Sequence, residues 1–164
     1  MDALKLLSAR RSVRKFKTRE ISDSDLSVIV DAARLAPTAR NIQPWEFIVI
    51  KDKATLKHIG EVASANGYFI SSASACVAVI CSDTKYYLED GSSATTCALL
   101  AATALGIASC WVAGDKKDYS QVVLKFLQVP AGYKLISLIG LGYADEDPKP
   151  AKRQLNEVMH KEKF

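Results

Sequence analysis

The chain has 164 residues, 49% of them hydrophobic and 24% charged, with a net charge of +4. That length suits a single domain over 1–164, and the composition supplies a core and excludes a disordered or fibrous chain. The apolar runs, such as Cys76 to Cys81 and Ala98 to Ala102, are too short to span a bilayer, and Met1-Asp2-Ala3-Leu4-Lys5 shows no apolar leader, so a cytosolic protein without a membrane role is expected.

Asp2 to Ala9 reads as a short helix, with Leu4 and Leu7 one turn apart. The next ten residues, Arg10 to Arg19, hold six basic side chains and no acid. The rest of the chain carries 16 basic and 18 acidic residues, so the whole positive excess sits here. Ser12 lies inside this cluster, and Val13 and Phe16 interrupt it as inward-facing positions of an ordered segment would. Guanidinium groups give forked, charge-assisted hydrogen bonds and serine adds a short neutral donor, a set suited to a phosphate. A solvated basic arm is the alternative for a charge run alone.

Ser22 or Asp23 caps a helix from about Ser24 to Leu35, with Leu26, Ile29, Val30 and Ala33 at helical spacing, and Pro37 ends it. Trp45 to Ile50 is an aromatic and β-branched strand. Lys53 to Val62 and roughly Tyr68 to Ser74 can be helical, and Val77 to Cys81 is a buried strand. Lys85 to Leu105 is the longest helix. Its half from Ala94 to Ala104 is small and apolar nearly all round, which predicts a central buried helix ended by Gly106. Ala108 to Val112 is a short strand, Tyr119 to Leu127 an amphipathic helix and Leu135 to Leu141 a second buried strand. Asp145 to Pro150 reads as extended, and the tail beyond has few apolar anchors.

Helices and strands interleave without clean βαβ alternation, which favours an α+β three-layer sandwich. Cys76, Cys81, Cys97 and Cys110 form no C-x-x-C pair and sit in apolar runs, as buried free thiols do in a reducing compartment. His58 and His160 stand far apart among charged residues, and no metal-ligand spacing is present. Gly140-Leu141-Gly142 lacks a third glycine and a following helix, so it is not a dinucleotide loop.

Four segments carry a resemblance. They are Arg10-x-Ser12-x-Arg14-x-Phe16, the run Ala36-Pro37-Thr38-Ala39-Arg40-Asn41-Ile42-Gln43-Pro44-Trp45, then Gly106-Ile107-Ala108-Ser109-Cys110-Trp111, and Leu138 to Tyr143 followed by Pro148-Lys149-Pro150. In this order the chain resembles the nitroreductase-like FMN-dependent flavoprotein family, from Leu6 to His160. The resemblance implies a mixed, mostly antiparallel sheet flanked by helices, and FMN as cofactor. It implies that Arg10, Arg11, Ser12 and Arg14 bind the phosphate. It also implies that Pro37, Thr38, Ala39, Asn41 and Gln43 reach the flavin of a second subunit in a homodimer. Relatives often carry serine where this chain has Ala39. The matching loop after the fourth segment's predecessor, Ala113 and Gly114, is implied to offer backbone N–H groups near flavin N5. A basic residue of the C-terminal exit is implied to reach the phosphate. Here Lys152 and Arg153 both compete for that role, because Gln154 stands where relatives have proline. Asn66 is a further candidate for the pyrimidine edge, with a surface turn as its other reading. The tail 148–164 is expected to cross to the partner.

The implied activity is passage of electrons from NAD(P)H to a nitroaromatic, quinone or similar electrophile by ping-pong turnover, with flavin N5 as the reactive atom and no catalytic side chain. The alternatives are a specialised flavin reaction (reductive dehalogenation or flavin cleavage) and a flavin-binding protein without turnover. A nucleic-acid module is disfavoured, because outside the basic segment the chain is net −2.

Overall fold

The computed structural model describes residues 2–164, apart from the side chain of Ala65. Among the described residues five strands form one antiparallel sheet: β1 (Phe16–Lys17), β2 (Trp45–Ile50), β3 (Ala75–Ser82), β4 (Ala108–Ala113) and β5 (Tyr133–Ala144). β5 is the spine. It pairs with β3 through Ala75↔Leu141 to Ser82↔Tyr133. Along its other edge it pairs with β4, from Ala108↔Gly142 to Ala113↔Ser137, and then with β1 at Phe16↔Ala144. β2 closes the sheet beyond β3.

Alternation along β3 assigns the two faces. Val77 and Val79 join Leu26, Ile29 and Ala33 of α2 (Asp23–Arg34) and Ala94, Ala98 and Ala102 of α4 (Tyr87–Ala104) in one core. Cys76, Ala78 and Ile80 join Leu56 and Ile59 of α3 (Lys53–Gly67) and Val123 and Leu124 of α5 (Ser120–Phe126) in the other. Helices therefore cover both faces, and the α+β three-layer sandwich read from the sequence is the observed architecture.

Local chemistry fixes the element ends. Ser22 Oγ accepts from the Asp25 N–H at 3.1 Å and opens α2, while Asp52 Oδ2 accepts from the Thr55 N–H at 2.8 Å and opens α3; such caps stabilise a helix by about 1 kcal/mol each. α1 (Ala3–Ala9) buries none of its residues. α3 runs past its expected end at Val62 to Gly67, with a break at Ser64 (φ 55°). The expected helix after it is a 3-10 turn, Tyr68–Ser72.

Two expectations change. α4 is not covered on all sides within one chain: Thr96 is exposed and Ser93, Cys97 and Leu100 are half-buried. The dense charge from Arg10 to Arg19 hides β1. Phe16 lies over Gly142, where a Cβ would stand 2.6 Å from its ring, and Gly140 makes the same room for Phe69. The Gly140-Leu141-Gly142 pair thus serves aromatic packing against β5. From Lys149 to Phe164 every residue is exposed, and the tail folds only into a 3-10 turn at Leu155–Glu157.

Candidate cofactor site

The basic segment is laid along the free edge of β4. Val13, 5% exposed, points inward and its N–H donates to Ser109 O at 3.0 Å, beside a parallel bridge between Ser12 and Ser109. Glu146 Oε1 then accepts from the Arg14 N–H at 2.6 Å and the Lys15 N–H at 3.2 Å, and Asp145 N–H donates to Lys15 O at 2.9 Å. With Val13 facing inward, its neighbours Ser12 and Arg14 open onto a cleft of about 400 Å³. Arg10, Ser12 and Arg14 form one wall, and Pro148, Pro150 and Lys152 the other. Two chain segments more than 130 residues apart thus place cations around one space.

The remaining basic candidates are engaged elsewhere. Arg11 touches the cleft, but its Nη1 donates to Ser8 O at 2.6 Å and Arg10 O at 2.8 Å, closing the end of α1. Arg153 turns into its own tail: Nη2 donates to Glu157 O, and Nε lies 3.8 Å from Glu157 Oε2. Lys149, which sequence reasoning did not single out, lines the cleft but pairs with Asp147 at 2.9 Å. The hydrogen bond and charge of Asp147 raise its pKa above the usual lysine value. Among the described residues Arg10, Arg14 and Lys152 make no ion pair.

Cys110 lies under this segment, 1% exposed. Burial pushes its thiol up, against the opposing pull of Arg14, Ser12 and Arg10. Desolvation wins, so the thiol stays neutral and is no nucleophile at ordinary pH.

The loop after α2 is built differently. Thr38 Oγ1 donates to Asp90 Oδ2 at 2.8 Å, and the Ala39 N–H donates to Asp90 Oδ1 at 3.0 Å. Thr38 Oγ1 in turn accepts the Gln43 N–H at 3.1 Å, and Gln43 Nε2 donates to Asn41 O at 3.2 Å. Arg40, Asn41 and Gln43 have φ of 55°, 57° and 52°. Left-handed conformations are uncommon for residues with a Cβ and cluster at functional loops. Pro37, Asn41 and Gln43 are exposed, whereas Trp45, 7% exposed, packs into the α2–α4 core. No residue of 37–43 lines the cation cleft.

The third piece is the end of β4. Gly114 N–H donates to Ile136 O at 2.9 Å. In an antiparallel ladder the N–H groups alternate in direction, so in this register the Ala113 N–H points away from β5. It faces the same free edge at which Ser109 O receives Val13. Tyr119 Oη donates to Ala113 O and Ser120 Oγ to Gly114 O, fixing the turn from behind. A Cβ on Gly114 would stand 2.8 Å from Leu135 O, which accounts for glycine there. Asn66 is exposed at the end of α3 and lines none of the cation cleft.

Sequence reading missed the two carboxylates that hold these pieces, Glu146 and Asp90. Glu146 sits in an acidic run that resembles a solvated turn. Asp90 sits in the first turns of α4, where an acid is ordinary for a helix N-terminus. Among the described residues no group of three His, Cys, Asp or Glu side chains could hold a metal, and no helix is long and apolar enough to cross a membrane.

The model of the Nitroreductase family matches residues 7–71 and 83–143, well over half of the chain. A protein of Archaeoglobus fulgidus named "Putative NADH dehydrogenase/NAD(P)H nitroreductase" is 36% identical, with 99% of each chain covered. Among solved structures, an FMN-dependent nitroreductase from Clostridium difficile R20291 superposes with a TM-score of 0.92 at 30% identity, covering 98% of this chain and 99% of that one. A nitroreductase-like protein in complex with FMN, from Desulfovibrio desulfuricans, shares the fold, with a TM-score of 0.84 at 24% identity and coverage of 100% and 99%.

Proposed function

Since the chain belongs to the nitroreductase family, we propose that it is an FMN oxidoreductase that passes electrons from NAD(P)H to a nitroaromatic, quinone or similar small electrophile. The observation that carries the cofactor is the cleft in which Arg10, Ser12, Arg14 and Lys152 converge. A terminal phosphate monoester with two negative charges needs several fixed donors, and these residues form such a set. The chemistry FMN supplies when bound is two-electron transfer at N5, from the nicotinamide in one half-reaction and to the acceptor in the next.

The residues divide the work of holding it. Arg10 and Arg14 neutralise the phosphate, Ser12 donates a short hydrogen bond, and Lys152 closes the opposite wall. Arg11 and Arg153 serve the backbone around them. The Ala113 N–H, free at the β4 edge, is the donor for the flavin N5 region, since Gly114's N–H is taken by Ile136. Asn41 and Gln43 offer donors and acceptors to the pyrimidine edge and ribityl hydroxyls. That pair stands outside the cation cleft of its own chain, which supports a homodimer with two shared sites. So do the exposed apolar side chains Leu4 (74%), Leu35 (67%), Leu155 (67%) and Phe164 (107%), and a tail that buries nothing of its own. No side chain is assigned a covalent or acid–base role; orientation and charge are the protein's contribution.

Purified protein should be yellow, and heat should release FMN and no FAD. Such protein should oxidise NADH or NADPH in the presence of a nitroaromatic or quinone. Colourless protein that also refuses added FMN would sink this reading.

A further inference from the structure

Asp90 belongs to none of the segments that carry the family resemblance, yet it is 5% exposed and commits both carboxylate oxygens to one of them. Oδ2 accepts a hydrogen bond from the Thr38 hydroxyl and Oδ1 accepts one from the Ala39 N–H. Having donated its one proton to Asp90, Thr38 Oγ1 has only lone pairs left, and one of them accepts the Gln43 N–H. The buried carboxylate thereby holds the first end of the loop directly and its second end through Thr38 Oγ1. Between those ties Arg40 and Asn41, and at the second tie Gln43, hold left-handed φ angles of 55°, 57° and 52°. Three such residues in four are not an intrinsic preference of the chain; they persist where surrounding groups over-determine them. In this loop the over-determining group is Asp90, seated on α4 and braced by the core through the adjacent buried Gly91.

We infer that Asp90 is a positioning residue for the cofactor. Through Thr38 and Ala39 it sets the loop that presents Asn41 and Gln43, and it governs how tightly FMN is retained without touching it. This rests on the FMN reading above. A carboxylate that merely stabilised the fold would alter the unfolding midpoint and leave FMN affinity alone.

The test is a set of FMN titrations on cofactor-stripped full-length protein carrying D90A, N41A, R14A and the two double changes D90A/N41A and D90A/R14A. D90A should raise the Kd for FMN about tenfold, the scale of one lost charge-assisted contact. D90A/N41A should fall clearly short of the product of the two single effects, because N41A has already removed one of the two contacts that Asp90 positions. D90A/R14A should show the product of the two single effects, since Arg14 belongs to the other half of the site. Hydrogen exchange on stripped D90A should show the amides of residues 39–43 exchanging about tenfold faster, with those of β3 unchanged. If D90A does not fold, T38V removes the hydroxyl link with the carboxylate in place and should give the same pattern. Wild-type FMN affinity in D90A or T38V, or full multiplication with N41A, overturns the inference. Wild-type affinity in R14A as well would instead bring down the FMN reading beneath it.

Discussion

Glu146 grips Arg14 by its backbone and not by its charge. Its Oε1 accepts from the Arg14 N–H at 2.6 Å and the Lys15 N–H at 3.2 Å, and no ion pair forms between the two side chains. A carboxylate so used fixes the strand-like path of the basic segment and leaves the guanidinium free for the cleft. Glu146→Ala should therefore weaken FMN binding although Glu146 does not line the cation cleft. A lost hydrogen bond to a charged group corresponds to about 1.5–3 kcal/mol, or one to two decades in Kd if all of it reaches the site. Glu146→Gln keeps an acceptor oxygen and should recover most of the loss. A Gln variant as weak as the Ala variant would assign the effect to charge and not to backbone positioning.

The cleft geometry separates the two tail cations. Arg14→Ala should weaken FMN binding by roughly 1.5–3 kcal/mol with the fold intact, and Lys152→Ala should lower affinity in the same assay. Arg153→Ala should leave affinity near wild type, because its guanidinium is bound to Glu157 of its own turn. Equal losses for Lys152→Ala and Arg153→Ala in a fluorescence titration would show that the tail rearranges when FMN binds.

The buried thiols predict an alkaline limit to stability. Burial pushes Cys76 and Cys81 from the ordinary 9.0 up to about 12. The unfolded chain releases these protons from about pH 9, while the folded chain holds them until about pH 12. The stabilisation is therefore complete below pH 9 and lost progressively as pH rises from 9 to 12. Urea midpoints of the wild type and Cys76→Ala at pH 8, 9 and 10 check this. Cys76→Ala should start lower at pH 8 and fall less steeply. Parallel slopes would mean that Cys76 ionises in the fold as easily as outside it.

The parts of this molecule that were legible in the sequence are those where chemistry is local. Leu26, Ile29 and Ala33 at helical spacing and the β-branched run of β2 mark their elements because each residue's burial depends on its neighbours in the chain. The clustered charge of Arg10 and Arg14 around Ser12 was legible for the same reason, and these residues do share a cleft. What stayed hidden depends on pairings across distance. β1 is masked by its own charges and exists because Gly142, some 126 positions on, leaves room for Phe16. Asp90 and Glu146 look like ordinary helix-start and loop acids until folding brings them to Thr38 and Arg14. Arg153 turns back toward Glu157 while Lys152 lines the cleft, a difference that no spacing encodes.

The placement of the two half-sites leads to the sharpest prediction about assembly. Arg10, Ser12, Arg14 and Lys152 gather in one cleft, and none of residues 37–43 enters it. We therefore expect a flavin held by both sets to sit between two chains, each lending its basic segment to one flavin and its Asn41 and Gln43 loop to the other. The interface that does this should bury more than about 2,000 Å² in total, the obligate class, and cover α4's open face and the tail. Arg14→Ala and Asn41→Ala, each first shown to bind FMN poorly alone, should then complement when mixed. A heterodimer of the two has one site free of either change and one that carries both. About half of all dimers formed at random from equal amounts are heterodimers, each with one wild-type site, so up to about a quarter of all sites should bind FMN at wild-type affinity. Sedimentation with tagged subunits confirms exchange, and the FMN titration counts the recovered sites. No recovery despite exchange, or a flavin-loaded monomer in the sedimentation profile, would show that each chain builds its site alone.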